Sequence, residues 1–128
     1  MRTNTFLLLV IATMIYAIGT PVTGCGESYE NREWHTAVED GWEPIKDINN
    51  KHIQELGDWV VSEFLKHANC MLKFNKVVTG KEQIVSGMNY ELVINASDMG
   101  GKLGKYKAEV YEQKWTNTRK LISFSKAK

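Results

Sequence analysis

The chain has 128 residues, of which 43% are hydrophobic and four are tryptophan. This size and composition are typical of one packed domain and exclude a largely disordered chain. The formal charge of +1 excludes a strong electrostatic preference for nucleic acid or an anionic membrane, because both would require a basic surplus or a basic patch.

The first 24 residues have the pattern of a secretory signal peptide. Arg2 precedes an apolar run that ends at Ile18, which has the length of a secretory h-region and is short for a membrane span. Small residues favour cleavage after Gly24, and cleavage after Gly19 is the alternative. We therefore expect a secreted mature chain that carries 15 basic and 15 acidic residues and no net charge.

Cys25 and Cys70 are the only two cysteines. In an oxidising compartment they could form a disulfide, which would stabilise the fold by on the order of 4 kcal/mol. A free or intermolecular thiol stays open, because Cys25 would lie at the mature N-terminus. The VTG that precedes Cys25 also resembles a bacterial lipobox, which would attach a lipid there.

Residues 25–40 show neither helical nor strand periodicity, and we expect an extended, poorly packed arm. Trp34 argues against that expectation. A single aromatic residue in a polar arm is usually incidental, although this one could fold back onto the domain.

Residues 51–68 are predicted to form one long amphipathic helix. Its apolar residues recur at three- and four-residue spacing, at Ile53, Leu56, Val60 and Phe64. Asn50 is a suitable N-cap, and Asn69 is a suitable residue to end the helix. Gly57, in the middle of the helix, indicates that another backbone passes close to that face.

After the helix the apolar period changes to two, which predicts a meander of four antiparallel strands. Short connections at GKEQ and KWTNT and a glycine-rich one at DMGGKLGK indicate hairpins. A fifth strand is expected at residues 42–46, at an edge, because Pro44 lacks a backbone donor. The predicted fold class is α+β, with a four- to five-stranded antiparallel sheet wrapped around one long α-helix in a domain of residues 41–128.

No group of side chains indicates catalysis or a cofactor. Glu55 and Asp58 lie on the polar face of the predicted helix, where carboxylates are usually solvated. The three histidines lack the pairing that binds zinc, and His67 with Cys70 lacks further ligands. GGKLGK lacks the spacing of a phosphate loop. We therefore expect no enzyme activity, no metal site and no cofactor.

Asn95 begins the sequon Asn-Ala-Ser on the predicted polar face of a strand, and it is a candidate glycosylation site in an exported chain.

The stretch QIVSG, Gln83 to Gly87, and the residue Trp115 fall at hairpin turns that a meander places on the same edge of the sheet. Ile84 and Val85 offer stiff apolar contacts, Gly87 lets a backbone approach closely, and tryptophan is common at interface hot spots. These features predict a binding surface. The alternative is a turn whose tryptophan merely covers the end of the core.

Between residue 41 and residue 127 the chain contains, in this order, the segments GWEPIKDI, LGDWVVSE, LKF, VVTG, QIVSG and KLISF. In these segments and their order the chain resembles the plant cystatins, a family of secreted inhibitors of papain-like cysteine proteases. The resemblance implies an antiparallel sheet wrapped around one helix. It also implies a wedge of three parts, which blocks the protease cleft beside the catalytic cysteine without being cleaved as a substrate.

Carried over by position, Gly41 is the flexible glycine of the N-terminal trunk, QIVSG the first hairpin loop, and Trp115 the tryptophan of the second. The residues that the resemblance assigns to protease binding are Gly41, Gln83, Ile84, Val85, Ser86, Gly87 and Trp115. The implied protein is a reversible, competitive inhibitor, expected as a monomer with a domain-swapped dimer as the alternative.

Three positions depart from the family pattern. Asp40 stands where many relatives have a glycine, Lys114 replaces a proline, and Phe64-Leu65 replaces a His-Asn type ending of the helix signature. The first two changes could each weaken binding by about 1 kcal/mol. They motivate an alternative function, a binding or storage module with the cystatin fold whose inhibition is weakened or lost.

Overall fold

The computed structural model describes residues 28–34 and 39–127 as one helix packed against a six-stranded antiparallel sheet. The elements in chain order are β1 (Tyr29–Glu30), β2 (Trp42–Pro44), α1 (Lys51–Leu65), β3 (Lys73–Val85), β4 (Gly87–Ser97), β5 (Leu103–Gln113), a 3-10 turn (Lys114–Thr116) and β6 (Thr118–Lys126). This confirms the predicted α+β class with one long helix.

The helix begins where the sequence predicts and ends earlier. Oδ1 of Asn50 accepts from the backbone N–H of His52 at 2.8 Å, which confirms the N-cap. The predicted end near Asn69 is wrong, because α1 stops at Leu65. The next two backbone N–H groups form shorter-range bonds to carbonyls three residues back, at 3.2 Å and 2.9 Å, which tighten and close the last turn.

The core lies between the apolar face of α1 and the inward face of the sheet. The ring of Phe64 on the helix stacks on Phe124 of β6 with centroids 4.2 Å apart, and Tyr106 of β5 lies 5.3 Å from Phe124 on the other side. Gly57 fits here for a reason that differs from the prediction. A Cβ at Gly57 would lie 2.3 Å from Cγ2 of Val77, and the three nearest atoms all belong to side chains of β3, so these side chains exclude a larger residue.

The strand order is β1-β6-β5-β4-β3-β2, with every neighbouring pair antiparallel. The meander from β3 to β6 and the edge position of Pro44 in β2 are confirmed. The turn predicted at GKEQ is wrong, because β3 continues through these residues to Val85. The strand reaches that far because β2 pairs with its last third, from Lys81 to Gln83.

A sixth strand comes from the N-terminal segment, where β1 pairs with β6 through Tyr29 with Phe124 and Glu30 with Ser123. We call residues 28–34 the N-terminal strap. The ring of Trp34, at its end, lies 4.8 Å from the ring of Tyr111. The expectation of a poorly packed arm is therefore wrong for these residues. The alternative, that Trp34 folds back onto the domain, is confirmed.

The strap is also fixed at its beginning, close to the loop that follows α1. Tyr29 stacks on His67 with ring centroids 4.6 Å apart. Cys70 in the same loop is disulfide-bonded, and the only other cysteine of the sequence, Cys25, lies outside the described residues.

The predicted signal segment 1–24 and its two cleavage sites also lie outside the described residues. Within the part of the chain that the structure describes, no helix has the length and apolarity to cross a membrane.

Candidate functional site

The stretch QIVSG forms the end of β3, a one-residue turn and the start of β4. Val85 ends β3, Gly87 begins β4, and Ser86 is the turn between them. The side chain of Ile84 is 81% exposed, which is unusual for a large apolar residue on a strand. Its branched Cβ restricts rotation, so the turn presents a stiff apolar surface to solvent.

Gly87 is required at its position by both conformation and space. Its φ of +113° lies in the region that residues with a side chain rarely adopt. A Cβ would also lie 2.7 Å from the carbonyl oxygen of Glu112 and 2.8 Å from the hydroxyl oxygen of Tyr111. The turn therefore lies directly against β5, and no larger residue fits there without displacing it.

The turn is held from behind by two side chains of β5. The hydroxyl of Tyr111 donates to the carbonyl oxygen of Ser86, and Nε2 of Gln113 donates to the same oxygen at 3.1 Å. Both lone pairs of the Ser86 carbonyl oxygen accept a hydrogen bond. These two bonds fix the backbone of the turn from the side of β5 and leave the exposed side chain of Ile84 free of them.

Gln83 occupies a different place from its neighbours, because its side chain is only 1% exposed. Its Nε2 donates to the carbonyl oxygen of Asp40 at 2.5 Å, and its Oε1 accepts from Asn89 at 2.8 Å. Gly41 follows Asp40 with φ of +88°, and a Cβ there would lie 3.9 Å from Cγ of Gln83. Gln83 thus holds the N-terminal trunk, the backbone at Asp40 and Gly41, against the sheet. Its side chain does not form part of the exposed surface.

Trp115 lies in the second hairpin, in the 3-10 turn that joins β5 to β6. Its side chain is 71% exposed, so it does not cover the end of the core. Asn117 closes the turn in the left-handed conformation with φ of 54°, and its backbone N–H donates to the carbonyl of Lys114 at 3.0 Å. The alternative interpretation of Trp115 as a core cap is therefore wrong.

The two hairpins share one cleft of about 330 Å³. Its lining residues come from both turns and from the strands beneath them, namely Ile84, Val85, Gly87, Met88, Tyr90, Glu112, Lys114 and Trp115. Together with Gly41, which the buried Gln83 holds beside the first hairpin, they form one end of the molecule. We call Gly41, residues 84–87 and Trp115 the hairpin rim, and the buried Gln83 supports it.

A buried ionic group under the rim was missed by the sequence reasoning. The carboxylate of Glu112 is nearly inaccessible and accepts from Arg119 at 2.7 Å and 3.0 Å, while Nε2 of His52 lies 2.6 Å from its other oxygen. Burial by itself would raise the pKa of Glu112, but the hydrogen bonds and charges of Arg119 and His52 outweigh it and lower this pKa below 4.5.

A signal for this group was present in the strand alternation. Position 112 has the same parity as Tyr106, Ala108 and Val110, which face the core, so a buried acid in need of a cationic partner was predictable. Tyr90 lies beside the group, and burial, followed by the nearby charges of Glu112 and Glu82, raises the pKa of Tyr90 to about 12. Its hydroxyl therefore stays protonated at physiological pH.

None of the other candidate residues belongs to the hairpin rim. Glu55 is exposed and lies 3.7 Å from Arg119, and Asp58 is exposed on the same helix. Among the described residues, no three His, Cys, Asp or Glu side chains are grouped in a way that could hold a metal ion. Asn95 is partly exposed and pairs with Lys105 near the far end of β4, so glycosylation there remains a prediction.

Comparison with known proteins gives a consistent set of relatives. The family model described as aspartic acid proteinase inhibitor (SQAPI) matches residues 45–127. The chain is 50% identical over 93 residues to Cysteine proteinase inhibitor 8 of Oryza sativa subsp. japonica, covering 73% of this chain and 76% of the relative. It is 40% identical over 126 residues to Putative cysteine proteinase inhibitor 7 of the same plant, covering 97% of this chain and 95% of the relative.

Solved structures share the fold at low sequence identity. The salivary cystatin of the soft tick Ornithodoros moubata has a TM-score of 0.60 at 21% identity and covers 69% of this chain and 97% of its own. Dimeric human cystatin F has a TM-score of 0.56 at 13% identity and covers 86% of this chain and 94% of its own. With the fold shared by these two structures and the sequence shared by the rice inhibitors, the chain belongs to the plant cystatin family.

Proposed function

We propose that this protein is a reversible, competitive inhibitor of papain-like cysteine proteases that inserts the hairpin rim into the active-site cleft. The observation that carries the proposal is the exposure of Ile84 and Trp115 on two hairpins that line a single cleft. The plant relatives named cysteine proteinase inhibitors favour this class of target.

The shape and apolarity of the hairpin rim are suited to filling a narrow protease cleft. Exposed apolar side chains at the tips would leave water on contact with the protease, and strands fixed by backbone hydrogen bonds would lose little conformational entropy in binding. The trunk at Gly41 would add a third contact, held in place by the bond from Gln83 to the Asp40 carbonyl. A surface of this kind would fill the cleft without presenting a scissile bond to the catalytic thiol.

The direct test is titration of papain with the purified mature protein. We expect the inhibitor to raise the apparent KM for a fluorogenic peptide and leave kcat unchanged, with activity recovered on dilution and the inhibitor intact by mass spectrometry. Pepsin is assayed in parallel, because the matching family model is described as an aspartic proteinase inhibitor. Inhibition of pepsin alone would contradict the proposal.

Two substitutions test which residues contact the protease. Trp115→Ala should weaken papain binding by about 30-fold, the effect of losing a typical tryptophan hot spot. Gly87→Leu should weaken it at least as much, because its side chain would collide with β5. The matched control is Gly101→Leu, which also replaces a glycine at positive φ, +82°, but in the hairpin at the opposite end of the sheet, where nothing lies within 4 Å of a Cβ. Equal loss of binding in the Gly87 and Gly101 variants would contradict the assigned surface.

A cystatin-fold binding or storage module with weakened inhibition is the second candidate. The exposed Lys114 favours it, because this residue lines the cleft between the hairpins where a proline is usual. Wild-type protein that fails to inhibit, combined with inhibition restored by Asp40→Gly and Lys114→Pro, would support this candidate.

Export is part of the proposal. The disulfide at Cys70 supports it, because disulfides persist in oxidising compartments. Expression with residues 1–24 in a secreting plant cell should release a protein whose first residue, by mass spectrometry, is Cys25 or Thr20. The same spectrum would detect a glycan at Asn95, which lies far enough from the rim to leave binding unaffected.

A further inference from the structure

Three polar side chains are buried on the face of the sheet that points away from the helix. Gln83, Asn89 and Tyr111 pair across β3, β4 and β5, and they are only 1%, 7% and 7% exposed. Their neighbours along β4 and β5, such as Tyr90 and Val110, alternate with them and pack toward the helix. In a sheet with one helix, the outward face is normally solvated, so this row requires a cover.

The N-terminal strap covers the Tyr111 end of this row. The ring of Trp34 lies 4.8 Å from the ring of Tyr111 at an interplanar angle of 36°, a tilted aromatic contact. The strap is fixed in this position because Asn31 donates its backbone N–H to the carbonyl of Ile122 at 2.8 Å and its Nδ2 to the carbonyl of Leu121 at 3.4 Å.

Tyr111 connects the strap to the rim. The hydroxyl of this residue donates to the carbonyl oxygen of Ser86, the single turn residue of the first hairpin, and also lies where a side chain of residue 87 would point. The series of contacts therefore runs from Trp34, through Tyr111, to the turn that the proposed function places in the protease cleft.

We propose that Trp34 and Tyr111 are positioning residues for the first hairpin turn, so that the strap sets how tightly the rim binds protease. Trp34 confines the tyrosine ring and keeps water from its hydroxyl, and the hydroxyl in turn fixes the Ser86 carbonyl. This inference rests on the proposed function, because it assigns the strap a role in the same binding surface.

The physical reason is preorganisation. A turn that samples several conformations in the free protein must lose that freedom when it docks, which weakens binding without changing any contact to the protease. Shielding from water also strengthens the hydroxyl bond to Ser86, because water no longer competes for the carbonyl. Neither Trp34 nor Tyr111 needs to touch the protease for this effect.

The test combines four single variants with the double variant of Tyr111→Phe and Trp34→Ala. Tyr111→Phe removes only the hydroxyl, and Trp34→Ala removes the cover. Trp34→Phe retains an aromatic cover and should rescue binding. Tyr106→Phe is the matched control, because it removes a buried tyrosine hydroxyl from the same strand at the end far from the rim. Circular dichroism and thermal unfolding establish that each variant is folded.

We expect Tyr111→Phe and Trp34→Ala each to speed dissociation from papain by about two- to tenfold, the usual effect of one lost hydrogen bond. The double variant should dissociate little faster than either single variant, because both changes act through the same bond. Trp34→Phe and Tyr106→Phe should stay within about twofold of the wild type. Additive effects, or loss of thermal stability with unchanged dissociation, would overturn the inference.

A second readout does not depend on any protease. Amide hydrogen exchange of residues 84–87 in the free protein should accelerate in Tyr111→Phe and Trp34→Ala and remain unchanged in Tyr106→Phe. If the wild type fails to inhibit papain, the proposed function fails, and this exchange alone decides whether Trp34 and Tyr111 position the turn. Unchanged exchange in both variants would overturn the inference even if papain is inhibited.

Discussion

Lys114 is exposed in the proposed binding surface, where a change of residue need not alter the fold. It opens the 3-10 turn that carries Trp115, and its exposed side chain lines the cleft between the hairpins. The preceding residue, Gln113, is extended with φ of −134° and ψ of 101°, a conformation that a following proline also favours. The position is therefore compatible with the proline that the family resemblance leads one to expect.

Lys114→Pro should tighten papain binding by about fivefold, because a fixed φ reduces the conformations that the free turn samples. The measurement is the inhibition constant at constant ionic strength. Lys114→Ala is the matched control, since it removes the charge without adding a ring. Equal tightening in the alanine variant would show that charge, and not backbone stiffness, limits affinity at this position.

The burial of Gln83 could not be predicted from the sequence. The family resemblance selected the correct five-residue stretch, but it could not separate exposed tips from buried supports. Strand alternation puts Ile84 on one face and Gln83 on the other, and only the position of Asp40 in space shows that the second face is covered. A contact between residues 43 positions apart leaves no local pattern in the sequence.

Among the elements, the helix and the meander were predictable because each has an uninterrupted apolar period. The turn predicted at GKEQ, which begins with Gly80, is wrong. In the structure Gly80 lies within β3, where a Cβ would be 2.9 Å from both the Glu91 carbonyl oxygen and Cδ1 of Ile45. The glycine therefore provides space for a neighbour, a role that local sequence cannot distinguish from turn formation.

The end of β5 depends on the buried carboxylate of Glu112, and this element should make stability depend on acid pH. The pKa of Glu112 is lower in the folded protein than its ordinary value of 4.5. Its contribution to stability is therefore fully present above pH 4.5 and is lost as the pH falls through the lowered pKa of the folded state. The side chains of His52 from α1 and Arg119 from β6 are the partners that face it.

Glu112→Gln should reduce the free energy of unfolding at neutral pH by about 2–3 kcal/mol, because two buried hydrogen bonds to a charged partner are weakened. The difference from the wild type should shrink as the pH falls below 4.5, because the unfolded chain binds a proton at this carboxylate before the folded protein does. Thermal unfolding between pH 7 and pH 3 measures both effects. Glu55→Gln is the control, because this carboxylate also faces Arg119 but is exposed. A constant difference across the pH range would argue against Glu112 as the titrating group.

At the scale of the whole molecule, the proposed binding surface and the candidate glycosylation site lie at opposite ends of the sheet. The hairpin rim lies at one end, and Asn95 lies near the hairpin of residues 98–102 at the other. The formal charge is close to zero, with basic and acidic residues nearly equal in number. Association with a protease should therefore depend on the shape and apolarity of the rim rather than on long-range attraction.

The rate of association with papain should change by less than about threefold between about 0.05 M and 0.5 M salt, because little electrostatic steering is available to be screened. Stopped-flow fluorescence at several salt concentrations measures this rate. A tenfold or greater decrease would point to a charged patch that the formal charge conceals. The Lys114→Ala variant would then identify or exclude the exposed lysine of the cleft as its source.

The segment before the helix supplies both outermost strands of the sheet, β1 beside β6 and β2 beside β3. Open sheet edges are templates for pairing with other chains, and such pairing leads to aggregation. The N-terminal segment therefore covers part of each border, at two residues of β6 and at three residues of β3. A chain shortened to begin at Gly41 would keep β2 and lose β1, so the whole outer edge of β6 would be open to pairing. It would therefore become prone to aggregate at concentrations where the longer chain stays dispersed.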